Sequence, residues 1–309
     1  MDSRSAMMIN PFRPGNNFNV LLHSPSAEPE RLYTYCHGLV HIHKRRLIRQ
    51  QPGQLVFIGD AGHRRGVFGS LASHVTEFGI IDNTILNPFL YNQEPTLSAM
   101  VPDLLLLIAL SQMLEEEPPD KAMRRAFADI TEALWQAYGQ KVSLRLLVET
   151  CREQGETFEA VADALAAFYH LRNECIMRRE DNSLQNKMLP VSGIKEALPT
   201  TAREVHVMPR GFLLSDSATL CTIYLYLFAL QQQSLHSSEK VRVSVVMNDT
   251  LNVFSNTESG AFNSQSYRIF AALLKQAKAA SMSLSYASAR PHGALCQRVI
   301  APHAAHHML

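Results

Sequence analysis

Short apolar runs that alternate with helical patterns restrict the fold of this chain more than any other feature of its sequence. Each run ends in glycine or in polar residues, as buried strands do, and the four clearest are QLVFIGD, GIIDNTILNPF, KVRVSVVMND and SLSYASA. Parallel strands need long crossover connections, which are usually helices. The alternation therefore predicts an α/β fold with a mostly parallel sheet flanked by helices.

A long helical segment interrupts this alternation between the second and third runs. Apolar residues recur there at spacings of three and four, as in AMRRAFADITEALWQAY and SLRLLVETCREQG. We therefore expect an α-helical insertion within the sheet domain. The predicted parts are an N-terminal arm and β-rich lead-in, a first part of the α/β core, the insertion, a second part of the core and a flexible tail, at residues 1–53, 54–95, 96–180, 181–300 and 301–309.

Composition separates this chain from disordered and from strongly basic proteins. Of its 309 residues, 46% are hydrophobic and 18% are charged, and the formal net charge is +1. These values support a sizeable core and show no overall bias towards nucleic acid. The five cysteines are scattered and include no CxxC pair, which favours reduced thiols in a cytoplasmic protein.

The stretch FLLSDSATLCTIYLYLFAL, at residues 212–230, is the best candidate for a membrane span. Asp216 lies near one end of it, among serine and threonine residues. An aspartate inside a bilayer costs roughly 3 kcal/mol. We therefore expect a buried core helix here and no integral membrane span.

The stretch LVFIGDAGHRRGVFGS has the order strand, glycine turn, helix, which is the context of a phosphate-binding loop. That loop requires G-x-x-x-x-G-K-[ST], because backbone N–H groups hold the phosphates, the lysine meets the outer phosphates and the hydroxyl binds magnesium. Gly59 takes the place of the first glycine, and Arg64, Arg65 and Gly66 take the last three places. The candidate nucleotide-binding residues are Gly59, Asp60, Ala61, Gly62, His63, Arg64, Arg65 and Gly66.

The side chains at these places do not suit phosphate and magnesium. The broad guanidinium of Arg65 does not replace the compact ammonium of a lysine in a tight loop. Gly66 has no oxygen for magnesium. The run VSVVMND ends in Asn248 and Asp249, where an acidic pair would supply a metal ligand and a base. Taken alone, this pattern favours a glycine turn without a ligand.

The order of these pieces resembles the C-terminal ATPase domain of conjugative (type IV) secretion ATPases. The matching pieces are FIGDAGHRRGVFGS, GIIDNTILNPF, the helical block, FLLSDSATLCTIYLYLFAL, VVMNDTLNVF, RIFAALLKQAKAAS and SLSYASA, and together they cover residues 54–300. The resemblance implies a P-loop NTPase-like, RecA-like sheet with an α-helical insertion. It also aligns the T-Q sensor of that family with Ser288 and Ala289.

The departures from that family all fall on its catalytic positions. We therefore predict a catalytically degenerate relative that does not hydrolyse nucleotide, with no catalytic residue, no metal site and no cofactor. Its role would be structural or partner-binding, with secretion-machine subunits as partners, in a homo- or hetero-oligomer. The helical face between residues 120 and 180 would be the contact surface. The expected location is cytoplasmic, and a peripheral position at the inner membrane is left open.

Two other functions remain as alternatives. The first is an atypical magnesium-dependent NTPase that retains ATP and magnesium through Arg65 and Asp249. The second is a nucleic-acid-binding protein that works through Arg45, Arg46 and the arginines of the glycine turn. A nucleophile set of Cys151, Asp163 and His170 has the right residue types but no local signature.

Overall fold

The structure is a computed structural model, and it describes eleven segments of the chain. These are residues 20–23, 53–58, 76–80, 87–113, 120–169, 204–209, 216–236, 242–248, 260–277, 279–288 and 305–308.

Seven strands form one sheet, and every pairing between neighbouring strands is parallel. The strand order across the sheet is β3-β4-β2-β5-β6-β1-β7. β2 therefore has a strand on each side, as expected for the apolar run QLVFIGD. The strands are β1 Val20–His23, β2 Gly53–Ile58, β3 Thr76–Ile80, β4 Glu204–Pro209, β5 Arg242–Asn248, β6 Met282–Ser288 and β7 Ala305–Met308.

Seven α-helices accompany the sheet in the described segments. Four of them lie within the segment predicted to be a helical insertion, and a short 3-10 helix, Gly139–Lys141, follows the second of these four. The helices are α1 Pro88–Tyr91, α2 Met100–Gln112, α3 Lys121–Tyr138, α4 Leu144–Glu153, α5 Glu156–Phe168, α6 Asp216–His236 and α7 Ala261–Ala277.

Helices α6 and α7 lie side by side on one face of the sheet. Helix α6 lies in the crossover from β4 to β5, and α7 lies in the crossover from β5 to β6. Both crossovers move in the same direction across the sheet, so right-handed connections place the two helices on the same face. The Tyr224 hydroxyl lies 3.0 Å from the Ser266 hydroxyl, and the Gln231 amide donates to the Leu273 carbonyl at 2.6 Å. Because these contacts advance together along both helices, α6 and α7 run in the same direction.

Helix α2 packs against both α6 and α7 and runs antiparallel to α6. The Cys221 thiol, early in α6, donates to the Leu107 carbonyl late in α2 at 3.8 Å. His236, at the end of α6, lies 3.4 Å from the Glu94 carboxylate before α2 begins. Helices α2 and α6 carry apolar residues on all sides because each packs against several neighbouring elements. A surface helix, in contrast, carries a single apolar stripe.

The predicted membrane candidate is a core helix. Between residues 218 and 232 of α6, every side chain that the structure describes is buried. Within the described part of the chain, no helix is both long enough and apolar enough to cross a bilayer. The polar side chains of α6 are compatible with this position because several bond to neighbouring helices, as Gln231 does.

Local signals in the sequence explain where the insertion helices begin. The Asp120 carboxylate accepts from the Met123 N–H at 2.6 Å, and the Ser143 hydroxyl accepts from the Leu146 N–H at 3.1 Å. These are N-cap bonds, which satisfy backbone donors that a helix start leaves free. Gly139 ends α3 with φ of 56°, a left-handed conformation that suits glycine.

Two short strands of the sheet lie in the predicted lead-in and in the predicted tail. β1, within the predicted lead-in 1–53, pairs with β6 and β7. β7, within the predicted tail 301–309, forms one edge of the sheet. Both strands have only four residues, and their ladder partners are distant in sequence, so local patterning did not reveal them.

Candidate functional site

The carboxyl ends of the central strands β2 and β5 lie beside each other at the edge of the sheet that is formed by the strand ends. The two strands pair along six positions, from Gly53 with Arg242 to Ile58 with Met247. Ile58 immediately precedes the glycine turn in sequence, and Met247 immediately precedes Asn248. The two segments singled out in the sequence therefore leave the sheet from neighbouring strands at the same level.

This edge is also a topological switch point. From β2 the chain continues to β3 on one side, and from β5 it continues to β6 on the other side. Neighbouring strands whose connections diverge leave a crevice outside their carboxyl ends, and open α/β sheets bind ligands there. The crevice between β2 and β5 follows from strand order alone, independently of any glycine motif.

The structure covers only part of the predicted site. Asn248 is the last residue of β5, and Ser288 is the last residue of β6. Asp249, Ala289 and the candidate nucleotide-binding residues 59–66 lie outside the described residues, as do Arg45, Arg46 and His170. Their roles stay predictions.

The two described strand ends at this edge, Asn248 of β5 and Ser288 of β6, lack the carboxylates that usually hold magnesium at ATPase sites. β5 ends in the neutral amide of Asn248, where a carboxylate would balance the charge of a cation. Carboxylates and phosphates are the ligands that hold magnesium at ATPase sites. β6 ends in Ser288, and alanine follows it in sequence. We therefore derive no reaction step through ATP or magnesium.

The LNPF turn connects this sheet edge to the helical insertion. The Asn87 side chain accepts from the Phe89 N–H at 3.1 Å and so caps α1, whose first residue is Pro88. Its amide also donates to the Val142 carbonyl at 2.8 Å, in the loop before α4. One buried asparagine thus starts a helix and joins it to the insertion.

Asn92 organises the next loop in the same manner. Its side chain is fully buried; its amide donates to the carbonyls of Glu94 and Thr96, at 3.1 Å and 3.0 Å, and its oxygen accepts from the Ser98 N–H at 2.9 Å. The Trp135 indole donates to the Pro95 carbonyl at 3.0 Å from the middle of the insertion. Residues 92–98 therefore form a closed loop held against α3.

We expect Asn92→Ala to lower the free energy of unfolding by about 2–3 kcal/mol, because a fully buried side chain loses three hydrogen bonds of about 1 kcal/mol each. Urea unfolding followed by circular dichroism would measure this. Gln136→Ala is the matched control, since the exposed Gln136 amide donates to the Glu132 side chain and makes no other side-chain hydrogen bond within the described segments. Equal effects of the two substitutions would contradict the role assigned to Asn92.

The possible nucleophile set around Cys151 is not supported. Cys151 is fully buried, and burial raises the pKa of its thiol to about 12. The Asp163 carboxylate pairs with the Arg152 guanidinium at 2.7 Å. A reactive cysteine needs a stabilised thiolate and an accessible position, and burial removes both.

A groove in the helical insertion was not located by the sequence analysis. It has a volume of about 470 Å³ and lies between α3 on one side and α4, α5 and their connecting segment on the other. The sequence predicted a contact surface on the helical face between residues 120 and 180, but it did not predict where on that face a groove would lie. The available signal was that Ile130 lies at the margin of the α3 stripe formed by Phe127, Thr131 and Leu134, which are buried. The lining residues are Ala126, Asp129, Ile130, Ala133, Leu134, Thr150, Gln154 and Phe158.

Comparison with known proteins adds evidence on the fold. No family model matches the sequence, and no curated protein matches it. The structure is similar to VirB4 of Thermoanaerobacter pseudethanolicus, with a TM-score of 0.56 at 12% sequence identity, over 97% of this chain and 80% of VirB4. The chain has the fold of VirB4. Because the alignment takes in nearly the whole chain, the sheet and the insertion are matched together.

A second solved structure is the bacterial conjugative coupling protein TrwB. The TM-score is 0.47 at 10% sequence identity, and the alignment covers 90% of this chain. The match covers 63% of TrwB, so this chain spans somewhat less than two thirds of its length.

Proposed function

We propose that this protein is a catalytically degenerate relative of the type IV secretion ATPases and acts as a non-hydrolysing, partner-binding subunit. The similarity to VirB4 supports a relation to that ATPase family. The observation that carries the proposal is the pairing of Ile58 with Met247. It supports a shared crevice for the glycine turn and the segment after β5, which is where a RecA-like ATPase would need its reacting groups.

The proposed loss of hydrolysis rests on the side chains rather than on the fold. Phosphoryl transfer depends on positioning and charge stabilisation by a lysine, a magnesium ion with its ligands and an oriented water. In this chain the corresponding residues are Arg65, Gly66, Asn248 and Ala289. Together these replacements remove the magnesium ligand, the general base and the sensor residue that orients the phosphate or the water. Fold similarity alone does not transfer activity.

The proposed partners are subunits of a secretion machine, which would bind to the helical insertion. The proposed location is the cytoplasm, with a peripheral position at the inner membrane left open. The insertion supports this role because several of its helices carry one buried face and one exposed face. An oligomer with copies of this chain or with related subunits is part of the proposal.

A turnover assay with magnesium and ATP tests the loss of hydrolysis. Active enzymes commonly turn over at about 1 s⁻¹ or faster, and we expect phosphate release by this protein below about 10⁻³ s⁻¹. Asp249→Ala is expected to leave that background unchanged. Titration calorimetry of the same samples measures nucleotide binding separately.

The opposite outcome would favour the atypical NTPase that uses Arg65 and Asp249. Saturable binding of magnesium-ATP with turnover that disappears in Asp249→Ala would replace the present proposal. Asp249 directly follows Asn248 at the end of β5, so this rival predicts a specific loss at one residue. A salt-dependent gel shift with DNA would instead support the nucleic-acid alternative.

A further inference from the structure

The groove in the helical insertion has an apolar wall on each side. Ile130 and Leu134 of α3 form one wall together with two alanines, and Phe158 of α5 lies opposite. Leu134 is buried, whereas Ile130 and Phe158 remain partly exposed although both pack against the core. Partly exposed apolar side chains that converge on a concave surface favour burial by another apolar surface.

The charge at this groove has one sign. Asp129 is the only charged residue that lines it, and the other polar residues of the lining, Thr150 and Gln154, are neutral. Within the described residues, the Asp129 carboxylate makes no ion pair or side-chain hydrogen bond. Arg125, one turn earlier on α3, does not line the groove. The groove therefore offers a free carboxylate beside apolar walls.

We propose that this groove docks an amphipathic helix of a partner protein, and that the helix places a lysine or arginine against Asp129. The inference deepens the partner-binding role proposed above by giving its position and the chemistry of the partner. The α3 residues of the lining extend from 126 to 134 at spacings of three and four, so they form one face of the helix.

A helix suits this groove better than an extended segment. The nine α3 positions of the lining span about 12 Å, which is roughly two turns of an apposed helix. No strand borders the groove, so within the described segments it offers no backbone ladder to an extended peptide. Helix-in-groove recognition uses apolar anchors at helical spacing, with charges at the margin for specificity.

A pair of designed peptides provides the probe. Both are helices of about 16 residues with leucines on one face, and they differ in a single position at the margin of that face, lysine in one and glutamate in the other. Binding to the full chain is measured by fluorescence anisotropy, and the methyl resonances of Ile130, Ala126 and Ala133 are followed by NMR. We expect the lysine peptide to bind more tightly and to shift these methyl resonances.

Charge reversal at the groove sharpens the test. Asp129→Lys is expected to weaken the lysine peptide about fivefold and to strengthen the glutamate peptide by a similar factor, which corresponds to about 1 kcal/mol for an exposed ion pair. Glu153→Lys is the matched control, because it changes the same charge on the same subdomain outside the lining. Both residues are exposed, so neither change threatens the fold.

Three results would overturn the inference. The first is the absence of saturable binding up to about 1 mM of either peptide. The second is equal binding by Asp129→Lys and wild type. The third is a homodimer in sedimentation that Ile130→Arg dissociates, since a second copy of this chain would then fill the groove. None of these results depends on nucleotide turnover, so failure of the groove and failure of the proposed loss of hydrolysis are distinguishable.

Discussion

Replacement of Phe270 by alanine is expected to lower the free energy of unfolding by about 3–5 kcal/mol. Phe270 has no exposed surface and lies on α7, where its ring stacks on Tyr224 of α6, with centroids 6.0 Å apart and planes at 17°. The substitution removes the ring and leaves a cavity in the layer that joins α2, α6 and α7. Phe270 and Tyr224 are both fully buried, so the close-packed surroundings limit how far the site collapses.

Urea unfolding followed by far-ultraviolet circular dichroism would measure the loss. Phe262→Ala is the matched control, because Phe262 lies on the same helix but is only partly buried against the core. We expect it to cost less than half as much as Phe270→Ala. A cost below about 1 kcal/mol for Phe270→Ala would show that the packing between α6 and α7 is not as described.

Restoring the phosphate-loop residues is expected to give the second large effect. The triple substitution Arg64→Gly, Arg65→Lys and Gly66→Thr rebuilds G-x-x-x-x-G-K-T after β2. If the turn has kept the backbone geometry of a phosphate loop, the lysine and hydroxyl regain their contacts with phosphate and magnesium. We expect magnesium-ATP to bind about 100-fold tighter than to the wild type, or about 2.7 kcal/mol.

Calorimetry measures this gain, and the turnover assay is expected to stay at background, because Asn248 and Ala289 are unchanged. The matched control converts Arg64, Arg65 and Gly66 all to alanine, which removes the same arginines without supplying a lysine or a hydroxyl. No gain in the restored variant, or an equal gain in the control, would indicate a glycine turn with no relation to a phosphate loop.

The central strands β2 and β5 were accessible to sequence reasoning because each is a short, mostly apolar run. β2 contains Leu, Val, Phe and Ile in succession before a glycine, and β5 contains three valines and a methionine before Asn248, which is the pattern of a strand covered on both faces. The same reasoning predicted that α6 is a buried helix. The N-caps of α3 and α4 could also be expected, because Asp120 and Ser143 directly precede helical patterns.

Other features could not be read from local pattern. β1 and β7 are four residues long, and their sequences VLLH and AHHM are too short to show a periodic pattern. Nothing local shows that Val20 will pair with Ser285 on one side and Ala305 on the other. The hydrogen bonds of Asn92 and the bond from Asn87 to the Val142 carbonyl likewise depend on loops that meet only after folding.

The sequence by itself determined the class of the fold and the residue types that follow β2 and β5, because apolar periodicity and side-chain chemistry are local properties. Only the tertiary structure decided that β2 and β5 are neighbours, that their connections diverge at a crevice and that Asp129 lies beside Ile130 and Phe158 in a groove. These arrangements arise from pairing and packing between segments far apart in the chain, and a local pattern carries no information about which distant partner completes it.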